Sequence, residues 1–359
     1  MMNFGDDKLF YIGGMVRDEL LGRESFDIDI TYVGNAIAYA KSLPCRIIQV
    51  NEKFGTVKIE VDGREIDLAS TRDESYPRKG HLPIVTDIGC SLEQDVRRRD
   101  FTINTLAKSV KTGEIVDYLG GVDDINARYI RVLHDNSFID DPTRIIRGLK
   151  FSVRFGFELD EHTEKLQSEY LEDVNYDMSY KRLKKELEET FNLNLQVAYD
   201  KFVGAGMYRL LSDKGFLKTE CNIQSLVEKY PVEYTWLVYL GGFDLSRLPL
   251  TRVEQNILDD FIKIKDMYPK TDFEIYKMFD GLATETILLY ATLIDNQRAL
   301  HYLENLSQIK IETTGDDIKR FGIKPSEKYK LCLDYILEAK IKDQSVDEEE
   351  LIKRFFNIV

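Results

Sequence analysis

Between Gly55 and Ser70 the sequence GTVKIEVDGREIDLAS alternates apolar and polar residues on either side of Asp62-Gly63. Alternation at period two describes a half-buried strand, and Asp-Gly supplies the positive φ angles that a two-residue turn demands, so the stretch predicts a β-hairpin with one face on a core. A lone hairpin is unstable in water and needs further strands or a helix against it. Partners are at hand. LFYIGG, DIDITYVG and RIIQV are β-rich, LAKSVKTGEIVDYLGG predicts a second hairpin, and the intervening stretches are helical in pattern. Ser91 to Gln94, SLEQ, carries the capping-box signature of a helix start. From about residue 140 the spacing becomes helical and no convincing sheet follows. The expectation is an α+β chain: a mixed-sheet head over roughly the first 130 residues, then an all-α remainder.

The 359 residues suffice for two or three domains. Cys45, Cys90, Cys221 and Cys332 are widely spaced, without a CxxC pair or a histidine cluster, which points away from zinc and from a disulfide framework and toward a reducing cytoplasm. The acidic start and the absence of any apolar run of membrane length predict a soluble protein without a leader or a membrane span. A formal net charge of -14 argues against indiscriminate binding to polyanions. Contact with nucleic acid must therefore use local basic patches: Arg97 to Arg99; Arg144, Arg147, Lys150 and Arg154; or Lys181, Arg182, Lys184 and Lys185.

Two aspartates, Asp27 and Asp29, lie one residue apart in the strand-like DIDI. Residues two apart on a strand share a face, so their carboxylates stand side by side while Ile28 and Ile30 turn to the core. Such a pair repels, and a divalent cation relieves the repulsion; hard oxygen ligands favour magnesium. An exposed acidic strand face is the bland alternative. Asp67, alternating with Ile66 and Leu68 in the second hairpin arm, is a weaker candidate for a third carboxylate. Upstream, Gly13 and Gly14 end a strand and lead into the helical MVRDELLG, which places bare N–H groups where a phosphate could dock, with Arg17 in the first turn.

DDPTRIIRGLKFSVRFGF, residues 140 to 157, predicts a helix with Asp140 or Asp141 as cap, Pro142 in the first turn and Gly156 at the end. Arg144, Arg147, Phe151 and Arg154 share one face of it. Solvated arginines behind a capping aspartate are the plain reading of that pattern. In SYKRLKKEL, residues 179 to 187, Arg182 and Glu186 form an i,i+4 pair, and Lys181, Lys184 and Lys185 are left as a basic patch that could meet nucleic-acid phosphate. The charged, turn-rich STRDESYPRKGHLPIV, residues 70 to 85, reads as a surface loop.

Taken together, GGMVRD with DIDI, RRRDFTINTLA (97 to 107), DYLGGVDDI (117 to 125) and the helix from Asp140 resemble the class II tRNA nucleotidyltransferases, or CCA-adding enzymes, and the bacterial poly(A) polymerases related to them. SYKRLKKEL is similar to the family's helix-stabilising element, and TTGDDIKRFGIKPS (313 to 326) to a late one. The resemblance implies a polymerase-β-like nucleotidyltransferase head (1 to 130), a helical neck that recognises the base (131 to 195) and a helical body and tail for tRNA (196 to 359). It implies magnesium at Asp27 and Asp29, the triphosphate at Gly13, Gly14 and Arg17, phosphate at Arg98 or Arg99, and the ribose at Asp100 and Asn104. Asp141 and Arg144 would pair with CTP and ATP as an amino-acid template, with Arg147 beside them. Asp140 stands where many members have Glu, and the 70-to-85 segment matches a flexible loop that helps the change from CTP to ATP. The function implied is untemplated addition of CCA, or of its terminal A, to tRNA 3′ ends. Poly(A) synthesis shares every catalytic motif. A catalytically silent RNA-binding protein and a small-molecule nucleotidyltransferase are the more distant readings.

Overall fold

The computed structural model describes residues 6–24, 28–219 and 221–358. Asp27 lies outside the described residues. Two compact units divide the chain, residues 1–213 with 246–249 and residues 214–245 with 250–359.

The first unit is built on a seven-stranded sheet ordered β3-β4-β5-β2-β1-β8-β9. Its strands are β1 (Leu9–Ile12), β2 (Asp29–Tyr32), β3 (Arg46–Asn51), β4 (Thr56–Val61), β5 (Arg64–Ser70), β8 (Ala107–Ser109) and β9 (Ile115–Val116). The expected hairpin is β4–β5, and Asp62 and Gly63 at its turn have φ of 50° and 75°, the mirror-image turn that matches strand twist. Val57, Ile59, Val61, Ile66 and Leu68 pack on Ala36 and Ala40 of helix α2 (Ala36–Ser42), with Ile30 in the same core and Ile28 against its edge. The side chains that alternate with them lie on the opposite, polar face. There the parallel pairing of β2 with β5 sets Asp29 opposite Asp67. The second expected hairpin is β8–β9.

Between β1 and β2 runs helix α1 (Gly14–Leu20). Gly13 enters it with φ of 64°, a left-handed conformation that favours glycine, and a Cβ there would stand 2.8 Å from the Arg99 guanidinium and push it aside. Helix α3 (Leu92–Arg97) starts at the capping box formed by Ser91 and Gln94, as expected. The chain then passes through α4 (Gly121–Ala127), α5 (Ser137–Asp140) and α6 (Thr143–Phe155), followed by α7 (Glu161–Glu172), α8 (Tyr180–Phe191) and α9 (Gln196–Gly204). Asp141 caps α6 by accepting from the Thr143 N–H at 3.2 Å and its hydroxyl at 2.6 Å, and Gly156 ends it in the left-handed region.

Two expectations need correction. The 70-to-85 segment is a loop only at its middle, because β6 (Arg72–Ser75) and β7 (Ile84–Ile88) pair as an antiparallel ribbon. Its first arm, Arg-Asp-Glu-Ser, is polar on both faces and so carries no hydrophobic alternation to announce a strand. Beyond residue 140 a short strand does occur: β11 (Glu158–Leu159) pairs in parallel with β10 (Tyr129–Ile130).

The second unit has no strand among its described residues. One of its cores gathers Ile318, Cys332, Ile336, Leu351 and Ile352. All four cysteines are free, and among the described residues no helix is long and apolar enough to cross a membrane.

Candidate active site

Glycines 13 and 14, Arg17 of α1, the Arg98–Asn104 segment that follows α3, and residues from α6 and α8 line one cavity of about 500 Å³ in the first unit. All ten residues expected to meet a nucleotide are on its wall: Gly13, Gly14, Arg17, Arg98, Arg99, Asp100, Asn104, Asp141, Arg144 and Arg147. Basic side chains there outnumber the carboxylates, which are Glu74, Asp100 and Asp141. Arginine does not lose its charge in a protein, so the cavity of this acidic chain is built for an anion.

Arg17 turns inward and is 4% exposed. Its Nε and Nη2 donate to Asp18 at 2.9 and 2.7 Å, its Nη1 donates to the Asn104 side-chain oxygen, and its plane lies 4.5 Å from the Phe155 ring centroid. Burial pushes its pKa down against the pull of Asp18. Held this way, Arg17 fixes the orientation of Asn104.

The three arginines after α3 divide by environment. Arg97 is exposed and pairs with Glu93 one turn back. Arg98 and Arg99 turn toward Asp95, a fully buried carboxylate that accepts from Arg98 at 2.9 Å, from Arg99 at 3.3 Å and from the Arg72 N–H at 3.1 Å. Burial pushes the Asp95 carboxyl up, but the Arg99 and Arg98 charges outweigh it and hold it below its ordinary value. Glu74 of the ribbon takes the other side of Arg98 at 3.1 Å and also binds Arg72 at 2.7 Å. The Arg99 Nε is buried with no partner.

Asp100 is almost wholly buried. One of its oxygens accepts from the Phe101 N–H at 2.8 Å and from the Asn104 amide at 2.9 Å; the other takes Arg147 through Nε at 2.8 Å and Nη2 at 2.6 Å. Burial raises the carboxyl, and the Arg147 charge and the Asn104 bond more than reverse that, leaving it well below the carboxylate range. Arg147 is raised in turn, chiefly by Asp100. Behind it Glu186 of α8 receives Arg147 at 3.1 Å and Lys150 at 2.7 Å.

Asp141 and Arg144, both 3% exposed, open on the same cavity but do not bind each other's side chains. Asp141 turns its second oxygen to Arg182, whose Nη1 is buried without a partner. Arg144 donates to the Ser137 hydroxyl at 2.7 Å, the Tyr76 hydroxyl at 3.3 Å and the Arg98 carbonyl at 3.3 Å. Of the α6 arginines read as solvated, Arg144 is buried and Arg147 is half-buried in ion pairs, whereas Arg154 is exposed. The i,i+4 pair expected of α8 is also replaced, since Arg182 goes to Asp141 and Glu186 to Arg147 and Lys150. Lys184 is buried beside Glu188 at 3.2 Å, which removes it from the lysines expected to be free for RNA.

A second cavity, of about 530 Å³, lies on the polar sheet face and shares Gly14, Arg72, Arg98 and Arg99 with the first. Asp29 and Asp67 line it as register partners, with Lys58 3.3 Å from Asp67. Two carboxylates opposite each other on adjacent strands are the hard oxygen donors that a divalent cation takes. Among the described residues no group of three or more histidine, cysteine, aspartate or glutamate side chains is placed to hold a metal ion.

Sequence reasoning missed Asp95, Glu74 and Tyr76. The first carried a signal, three and four residues before Arg98 and Arg99; the ribbon residues carried none, because their partners are distant in the chain.

Residues 9–131 match the poly A polymerase head domain. An A-adding tRNA nucleotidyltransferase of Geobacter sulfurreducens is 31% identical over 95% of this chain and 44% of its own length. One from Halalkalibacterium halodurans is 27% identical over 97% and 89%. A solved CCA-adding enzyme, in its apo form II, matches with a TM-score of 0.80 at 27% identity, covering 98% of this chain and 92% of that one. This chain thus spans less than half the length of the Geobacter relative and most of the other two. The fold is the expected one, α+β with a polymerase head.

Proposed function

We propose that this chain, whose residues 9–131 match the poly A polymerase head domain, adds nucleotides from CTP and ATP to the 3′ end of tRNA in the cytoplasm without a nucleic-acid template. The observation that carries the reading is the convergence of ten residues, from motifs as far apart as Gly13 and Arg147, on one positively charged cavity next to Asp29. In this reading residues 1–130 are catalytic, 131–195 recognise the base and 196–359 hold the tRNA.

The N–H groups after Gly13 and the guanidinium groups of Arg98 and Arg99 receive the triphosphate, with the unpartnered Arg99 Nε as one donor. Asp100 and Asn104, locked by Arg147 and Arg17, present fixed groups to the ribose. Asp141 accepts from the exocyclic amine of cytosine or adenine while Arg144 donates to the ring nitrogen. Uracil and guanine reverse that order and leave buried groups unpaired, which makes rejection strong. Magnesium, which Asp29 would hold together with Asp27, supplies neutralisation of the α-phosphate and lowers the pKa of the RNA hydroxyl when bound. The RNA 3′-oxygen forms its bond to the α-phosphorus as the α–β bridging bond breaks, pyrophosphate leaves, and the hydroxyl proton passes to solvent.

The test is incorporation by the purified protein with magnesium, using tRNA transcripts that lack CCA, lack CA or lack only A, with CTP, ATP or both. Three nucleotides on the shortest transcript establish CCA addition, and no incorporation on any transcript refutes the proposal. Activity confined to the transcript ending in CC gives the second reading, an A-adding specialist, which is favoured by the names of the Geobacter and Halalkalibacterium relatives. Long homopolymeric adenylate would instead mean poly(A) synthesis.

A further inference from the structure

We propose that the polar face of strands β2, β5, β4 and β3 is the seat of the RNA 3′-terminal nucleotide. The inference rests on the nucleotidyl-transfer reading and names the residues that position its second substrate.

The register of the four strands places their side chains in two rows. Asp29 stands opposite Asp67, Asp67 opposite Lys58, and Lys58 opposite Gln49. One step along, Thr31 stands opposite Ala69, Ala69 opposite Thr56, and Thr56 opposite Asn51. All eight residues line the 530 Å³ sheet-face cavity. Neighbouring strands are about 4.8 Å apart, so each row runs about 14 Å from the carboxylates to the edge strand.

In-line displacement requires the attacking oxygen and the leaving pyrophosphate to lie on opposite sides of the α-phosphate. The nucleotide cavity and the sheet-face cavity meet at Gly14, Arg72, Arg98 and Arg99. A triphosphate in the first therefore puts the attacking 3′-oxygen in the second, at its Asp29 and Asp67 end. The rest of the terminal nucleotide must then extend along the rows.

Their chemistry fits that occupant. Lys58, Arg72, Arg98 and Arg99 exceed the two carboxylates and suit a phosphate. Ala69, the smallest side chain in either row, lies between two threonines and leaves a shallow seat. The Thr31 hydroxyl is buried and has no hydrogen-bond partner, and Asn51 precedes a 3-10 turn without capping it, so polar atoms remain for a ribose or base edge. Among the described residues no aromatic ring lines this cavity. The described lining offers hydrogen bonds and shape to the nucleotide, where the usual single-strand platform offers stacking.

Ala69→Leu fills the seat, and Gln49→Ala with Asn51→Ala strips the edge strand where exposure makes misfolding a lesser risk. For each, kcat/KM is measured for a tRNA transcript lacking only A at saturating ATP, and Kd is measured for ATP with magnesium without RNA. The expected result is at least a tenfold fall in kcat/KM for Ala69→Leu and a threefold fall for the double variant, with ATP affinity within twofold of wild type. Unchanged kcat/KM in both variants, or ATP affinity falling in step with it, overturns the seat while leaving nucleotidyl transfer standing. If wild type incorporates nothing, the transfer reading fails on its own, and the affinity of a 5′-labelled transcript decides the seat. Tighter binding than for the same transcript shortened by one nucleotide, lost in Ala69→Leu, supports it; equal affinity for both transcripts overturns it.

Discussion

The two units treat buried charge differently. In the first, Arg17, Asp95, Asp100, Asp141, Arg144 and Glu186 are all buried, and each answers another side chain around the nucleotide cavity. In the second, the buried charged residues among those described are Glu254 and Glu285. Both serve backbone: Glu254 completes a capping box with Thr251, and Glu285 accepts the N–H groups of Glu233 and Tyr234, each at 3.2 Å. Dehydrating an ion costs several kcal/mol, so charge is kept inside only where something offsets it. A capping carboxylate stabilises the fold directly. The interlocked ions of the first unit add little to stability that apolar packing could not supply, and their retention there supports the proposal that this unit handles the nucleotide.

The contrast can be broken most sharply at Asp29. It is exposed, so Asp29→Ala should leave the thermal midpoint close to wild type while incorporation falls about 1,000-fold or more, since several kcal/mol of transition-state stabilisation are at stake. Near-normal turnover would end the assignment of the sheet face to catalysis. Next in size is a matched pair of isosteric changes. Asp100→Asn should cost about 2–3 kcal/mol in denaturant unfolding, because Arg147 is left with Glu186 alone, whereas Glu285→Gln keeps an acceptor for both N–H groups and should cost under about 1 kcal/mol. Equal costs would erase the distinction between the units.

A smaller effect separates them by pH. Glu348, in the second unit, accepts from the N–H groups of Glu312 and Thr313 and from Lys340. Burial pushes its carboxyl up, but the Lys340 and Thr313 bonds prevail and hold it at about 2, below an ordinary value of 4.5. A depressed pKa stabilises the fold above the unfolded value, and that contribution is lost as pH falls from about 4.5 through 2. Unfolding free energies of wild type and Glu348→Gln should therefore differ by about 2 kcal/mol at pH 7 and converge as pH falls to about 2. A constant gap would refute the linkage. The smallest expected change is at Arg97, whose exposed pair with Glu93 is worth under about 0.5 kcal/mol. Arg97→Ala should alter ATP affinity less than twofold, in contrast to Arg98→Ala; a tenfold loss would place Arg97 in the site.

Local signals carried much of this account. Asp62-Gly63 announced the hairpin, Gly13-Gly14 the strand-to-helix turn, and Asp141 the start of α6, because each rests on the conformational needs of a few adjacent residues. What stayed illegible was long-range. Nothing in the Arg-Asp-Glu-Ser of β6 shows that Glu74 will brace Arg98, nothing in α8 shows that Arg182 will leave Glu186 for Asp141, and Lys184 looks as exposed as Lys185. The two polar rows on the sheet were hidden for the same reason, since they exist only once β2 pairs in parallel with β5 and fixes the register.

The central claim is that the buried ions of the first unit choose the nucleotide. Equilibrium binding of ATP, CTP, GTP and UTP, each with magnesium, to the wild-type protein and to Asp141→Ala tests it most directly. The account predicts ATP and CTP at least tenfold tighter than GTP and UTP in the wild type, and that gap closing in the variant. Four equal affinities in the wild type, or an undiminished preference without the Asp141 carboxylate, would contradict it.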